Sequence, residues 1–112
     1  MRLEDLDTPA LCLDLDVLDC NIHSLQGACN KLGIALRVHT KTHKTPAIAQ
    51  RQIQAGAIGI VSQKIGEAEA MAAAGIEDIL IPYNIVGKNK LARLSQLVRS
   101  GTSTIAVTAD SE

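Results

Sequence analysis

The strongest constraint in this chain is a repeated order of segments. A short run of Val, Ile, Leu and Ala is followed by a longer helix-forming stretch, which a glycine then closes. Residues 57–62 (AIGIVS) and 78–82 (DILIP) are apolar runs with the composition of strands buried on both faces, and residues 104–107 (TIAV) form another strand. Between them, residues 46–55 open with Thr45-Pro46, an N-cap and first-turn pair, and stop at Gly56. Residues 64–74 have high helix propensity despite Gly66 and meet Gly75 where a C-terminal cap belongs. Residues 88–100 place Leu91, Leu94 and Val98 on one side of a helix that closes at Gly101. Strands alternating with helices over short connections make βα units, a parallel sheet and an α/β fold, either doubly wound or a barrel. A complete (β/α)8 barrel takes about 250 residues, so the 112 residues here supply about half of one. The expectation is the front portion of a larger protein, marginally stable alone, inactive alone and prone to associate through an uncovered strand edge.

Ahead of these units, residues 8–15 (TPALCLDL) read as a strand, with Leu11, Leu13 and Leu15 on one face. Asp16 then has the chemistry of an N-cap, with Asp19 in the first turn of the helix it opens. Leu18, Ile22, Leu25, Cys29 and Leu32 form one apolar stripe on that helix, which Gly33 ends. One Tyr and no Phe or Trp leave the core to small aliphatic side chains, which suits layered α/β architectures. Eleven basic residues against twelve acidic ones exclude a chain that holds a polyanion by bulk charge. No apolar run approaches the about 20 residues of a membrane span. Residues 1–6 carry Arg2, Glu4 and Asp5 and lack the apolar core of a signal peptide, so a cytoplasmic location is expected. Cys12, Cys20 and Cys29 are odd in number and without CxxC spacing, which reads as reduced, partly buried thiols.

The chemistry is concentrated in residues 34–44. Residues 34–41 (IALRVHTK) read as a strand with Ile34, Leu36 and Val38 on one face. If it extends further, Arg37, His39, Lys41 and His43 share the other face, with Lys44 just beyond. Crowded cations need an anion or water to compensate them. Neighbouring cations also disfavour the ammonium form of an amine, one route by which a lysine becomes a nucleophile. Three readings stay open on the residues alone: a solvated basic strand end, a metal pair made of His39 and His43, or a lysine holding an aldehyde cofactor as a Schiff base. Nucleic-acid binding fits poorly, because no aromatic platform accompanies the cluster.

Further motifs bear on the choice. Asp7-Thr8-Pro9-Ala10-Leu11, Leu13-Asp14-Leu15-Asp16 and above all Arg37-Val38-His39-Thr40-Lys41-Thr42-His43-Lys44 resemble the start of the D-threonine aldolase and D-serine dehydratase family. That family belongs to the alanine-racemase-like, fold-type III pyridoxal-phosphate enzymes. Gly56-Ala57-Ile58-Gly59, Gln63-Lys64 with Glu67-Ala68-Glu69, and Ala74-Gly75-Ile76 with Asp78-Ile79-Leu80 extend the resemblance over nearly the whole chain, and Gln63-Lys64 with Glu67-Ala68-Glu69 leans it toward the aldolases.

The resemblance implies the N-terminal part of a (β/α)8 TIM barrel of alanine-racemase type. Residues 1–15 would supply a strand that joins a C-terminal β-domain, and residues 16–112 would supply barrel strands one to four with their helices. It implies pyridoxal 5'-phosphate held by Lys41 rather than Lys44, with His39 and Arg37 tuning its charge. Gln63 and Tyr83 follow strand ends where barrels build their sites, as does Asp110. It also implies a lyase that cleaves D-3-hydroxy-amino acids to glycine and an aldehyde, with β-elimination of D-serine as the near rival. A cofactor-binding protein without turnover stands as a further alternative. A divalent metal is implied too, with ligands in a C-terminal domain that this chain does not contain, as is a homodimer of the full-length protein.

Overall fold

Four parallel strands lie in the order β1 (Arg37–His39), β2 (Gly59–Val61), β3 (Asp78–Ile81) and β4 (Thr104–Val107) in a computed structural model that describes residues 2–110. Helices α1 (Leu15–Lys31), α2 (Pro46–Gln54), α3 (Ile65–Ala73) and α4 (Lys88–Arg99) alternate with them. Each strand pairs with the next in sequence, without the reversal that marks a doubly wound sheet. This α/β arrangement is consistent with part of an alanine-racemase-like barrel.

Register explains the layering. Val38, Ile60, Ile79 and Ile105 form one cross-strand row, and alternation sends their neighbours to the opposite face. Ile60, Ile79 and Ile81 are buried against Ala49 of α2, Ile65, Ala68, Met71 and Ala72 of α3, and Leu97 of α4. Alanines at three of these helical positions let backbone approach sheet closely, as a core without large aromatics requires. On the other face Arg37, His39, Val61, Asp78 and Leu80 are only half-buried.

At the amino-terminal end of that face, Arg37 on β1 reaches across β2 to Asp78 on β3. Nη1 donates to Oδ1 at 2.6 Å and Nη2 to Oδ2 at 3.1 Å. The strand crossed presents Gly59, where an added Cβ would lie 2.5 Å from Arg37 Nη1 and 2.8 Å from the Asp78 carbonyl oxygen. Gly59→Ala therefore has to displace both a side chain and backbone. It is expected to cost about 1–3 kcal/mol, the range of core overpacking, read as a lower urea midpoint with an unchanged slope.

Several sequence expectations are corrected here. Residues 8–14 form no strand, because no neighbouring strand offers its backbone to them, and Leu11 stands 97% exposed. The cap of α1 is Asp14, not Asp16: its Oδ1 accepts the N–H groups of Asp16 and Val17, each at 3.0 Å. The inward face of α1 centres on Gln26, so Leu25 and Leu32 of the expected stripe are exposed. That rotation follows from how α1 docks, through Asp19 to Arg51 of α2 at 2.7 Å and through Gln26 against Gly56. Thr45 is the N-cap of α2 by backbone only, since its Oγ1 donates to the His43 carbonyl at 2.7 Å. All three cysteines are free, but Cys12 and Cys20 are exposed rather than partly buried. Among the described residues no helix is long and apolar enough to cross a membrane.

Candidate active site

β1 stops at His39 because Thr40 turns the chain. Thr40 is fully buried, and its N–H (2.9 Å) and Oγ1 (3.1 Å) both donate to the Val61 carbonyl of β2. Its own carbonyl accepts the Lys44 N–H at 2.8 Å, closing a tight turn just past the carboxyl end of β1. Lys44 completes that turn at φ +50°, the left-handed region that disfavours a side chain.

Lys41 stands in this turn, exposed, and among the described residues it makes no ion pair. Its N–H donates to His39 Nδ1 at 3.3 Å, and the Thr45 N–H donates to His43 Nδ1 at 3.0 Å in the same two-residue pattern. A neutral ring that accepts at Nδ1 carries its proton on Nε2. Both Nε2 atoms are buried without a hydrogen-bond partner in the protein. The continuous basic face expected for residues 37–43 therefore ends at His39, and His43 folds back toward Gln52 of α2. Among the described residues no three His, Cys, Asp or Glu side chains come together as a cation site.

Burial of the ring pushes the pKa of His43 below its ordinary value of 6.5. The unfolded chain thus binds this proton more tightly than the folded one. Stability is complete above about pH 6.5 and is lost as pH falls below it toward the folded value. The urea midpoint is expected to fall between pH 7.5 and 5.5, and His43→Gln is expected to flatten that fall.

Arg37 is at the other end of β1. Hydrogen bonding to its guanidinium, reinforced by its charge, holds the Asp78 carboxyl below the usual 3.8. Arg37 is thus neutralised away from the turn that carries Lys41, so the expected crowding of cations around that amine is relieved. Lys44 is committed as well. Its Nζ lies 3.3 Å from Oε1 of Glu67, an ion pair out of line for a hydrogen bond. Glu67 is only 8% exposed, and its Oε2 accepts the Gln63 N–H at 2.9 Å.

Gln63 follows β2 with its Oε1 buried and unpartnered, as is Oγ of the fully buried Ser62 before it. Tyr83 follows β3 and is 45% exposed, and Asp110 is exposed beyond β4. Gln63 and Tyr83 line one cavity of about 290 Å³, together with Lys64, Lys90 and Arg93, while Lys41 lies outside its lining. A cavity of about 340 Å³ is at the opposite end, between Ile58, Gly59 and the Gly75–Asp78 connection, away from the strands' carboxyl ends. Sequence reasoning missed Glu67 and Asp78. The signal for Glu67 was a carboxylate in the first turn of a helix, spaced to reach back past its start. For Asp78 it was a charge at the head of an otherwise apolar strand.

Lys41, His39 and the orphaned side-chain atoms of Ser62 and Gln63 stand at the carboxyl ends of β1 and β2, the end at which α/β proteins build their sites. No protein-family model matches the chain. It is 45% identical over 105 residues to a D-threonine aldolase from an Arthrobacter species, covering 94% of this chain and 28% of that protein. It is 36% identical over 111 residues to the 3-hydroxy-D-aspartate aldolase of Paracoccus denitrificans, with 98% and 28% covered. The crystal structure of D-threonine aldolase from Filomicrobium marinum matches with a TM-score of 0.92 at 43% identity, over 97% of this chain and 29% of that one. The D-threo-3-hydroxyaspartate dehydratase of a Delftia species matches with a TM-score of 0.80 at 40% identity, over 88% and 26%. Over nearly its whole length the chain is similar to these aldolases and dehydratases, which are lyases. It spans about 28% of the length of the curated relatives it matches.

Proposed function

We propose that this chain is the cofactor-anchoring part of a pyridoxal-phosphate-dependent lyase. The full-length protein would cleave D-3-hydroxy-amino acids to glycine and an aldehyde. The observation that carries this reading is the contrast between two lysines of one turn. Lys44 is paired with a buried carboxylate, whereas Lys41 is exposed at the carboxyl end of β1 and makes no ion pair among the described residues.

The polar groups at the ends of β1 and β2 fit such a cofactor. His39 Nε2, Ser62 Oγ and Gln63 Oε1 are buried without partners, and an unsatisfied group of that kind costs about 1–3 kcal/mol. Lys41 would hold the cofactor by its amine, with His39, Gln63 and Tyr83 lining it. When bound, pyridoxal phosphate supplies an electron sink for the charge left on the substrate's α-carbon as its bond to the β-carbon breaks. His39 contributes a donor, since Nδ1 is occupied by the Lys41 amide and its proton is on Nε2. Arg37 is left out of this set, because Asp78 pairs with its Nη1 and Nη2 at the opposite end of β1. No residue of this chain is assigned to a divalent metal, since no three-ligand set exists among those described.

The 41% identity to the Delftia dehydratase favours β-elimination as the second reading. Product analysis of the full-length protein separates the two. Acetaldehyde and glycine from D-threonine support the aldolase. Pyruvate and ammonia from D-serine without aldehyde support the elimination. Bound cofactor with neither product leaves a binding protein.

A further inference from the structure

Two loops meet at one buried carboxylate. Glu67, in the first turn of α3, accepts the Gln63 N–H with Oε2 at 2.9 Å and faces Lys44 Nζ with Oε1 at 3.3 Å. Gln63 belongs to the connection after β2, and Lys44 to the turn after β1. A carboxylate 8% exposed is unfavourable unless a cation and donors compensate it, and this one draws them from both connections. Lys44 serves it from a left-handed backbone that a glycine would adopt more easily. The Thr40–Lys44 turn is consequently held at both ends: Thr40 is tied to Val61 of β2 and Lys44 to Glu67 of α3. Lys41 lies between the two ties.

From this geometry we infer that Glu67 is a positioning residue for the proposed lyase. By holding Lys44 it fixes the turn that presents Lys41, and it keeps Lys44 from offering a second amine to an aldehyde. The inference rests on the reading of Lys41 as the anchoring lysine and is tested separately from it. A bare surface turn samples many positions, whereas a reacting amine displaced by about 1 Å costs on the order of a hundredfold in rate. A buried carboxylate bridging two loops removes that freedom.

The test uses the full-length protein and its Glu67→Gln, Lys44→Met and Lys44→Arg variants. Each is incubated with pyridoxal phosphate, reduced with borohydride and mapped by peptide mass, and kcat and KM are measured in parallel. Wild type is expected to carry the label on Lys41 alone. Glu67→Gln is expected to divide the label between Lys41 and Lys44 and to lower kcat about tenfold or more, with KM changed less. Lys44→Met is expected to lower kcat similarly while leaving the label on Lys41. Lys44→Arg, which keeps the cation, is expected to stay within about threefold of wild type in kcat, a rescue that a merely space-filling role would not give. Should Glu67→Gln fail to fold, the pair of variants at the exposed Lys44 decides the outcome by itself. Wild-type labelling and kcat in both Glu67→Gln and Lys44→Met overturn the inference and leave Lys41 as the anchor. Wild-type label on Lys44 instead overturns both.

Discussion

Lys41→Ala in the full-length protein is expected to lower lyase turnover by on the order of 10³-fold and to remove the visible absorbance of bound pyridoxal phosphate. That scale is the middle of the range for loss of a positioned proton-transfer group. Two neighbouring amines provide internal controls. Lys44 is engaged with Glu67, and Lys64 lies one connection away at the N-cap of α3. Alanine at Lys64 should leave the absorbance in place. If borohydride fixes the cofactor on Lys44 or Lys64, the assignment of Lys41 fails. Retained absorbance in Lys41→Ala would have the same consequence.

The second large effect concerns the core. Ile79 is fully buried, occupies the third place in the row Val38, Ile60, Ile79 and Ile105, and packs among side chains of α2, α3 and α4. Ile79→Ala should destabilise the fold by about 2–5 kcal/mol, combining lost apolar transfer with an unfilled cavity. Whole domains are worth only about 5–15 kcal/mol, so the variant should unfold at much lower urea. Leu11→Ala removes a comparable side chain from a position 97% exposed and should stay within about 0.5 kcal/mol. Equal losses at the two positions would contradict the layering described here.

Much of the fold was legible because glycine stops and apolar runs are local signals. Residues 104–107 match β4, and α2, α3 and α4 begin and end within a residue or so of their expected bounds. Gly75, at φ +86°, ends α3 as its sequence position implied. The failures share another cause. Alternation in residues 8–15 shows that a segment could be a strand, but only a neighbouring backbone makes it one. The face shared by Arg37, His39, Lys41 and His43 assumed that β1 continues, whereas the chain turns after His39, with the Thr40 carbonyl accepting the Lys44 N–H. Arg37 looked like a member of the cluster because its partner, Asp78, lies two strands away and leaves no trace nearby in sequence. The same distance hid the contact of Glu67 with Lys44, which separates the two lysines of the turn. That Lys41, Gln63 and Tyr83 follow strands and that His39 ends one was legible, because those strands are marked by local apolar runs.

The strap from Arg37 over Gly59 to Asp78 also limits how such a sequence can drift. A side chain at position 59 collides with the guanidinium above it, and loss of either charge strands the other half-buried. Each single replacement therefore passes through a weakened intermediate, and the three positions can change at low cost only together.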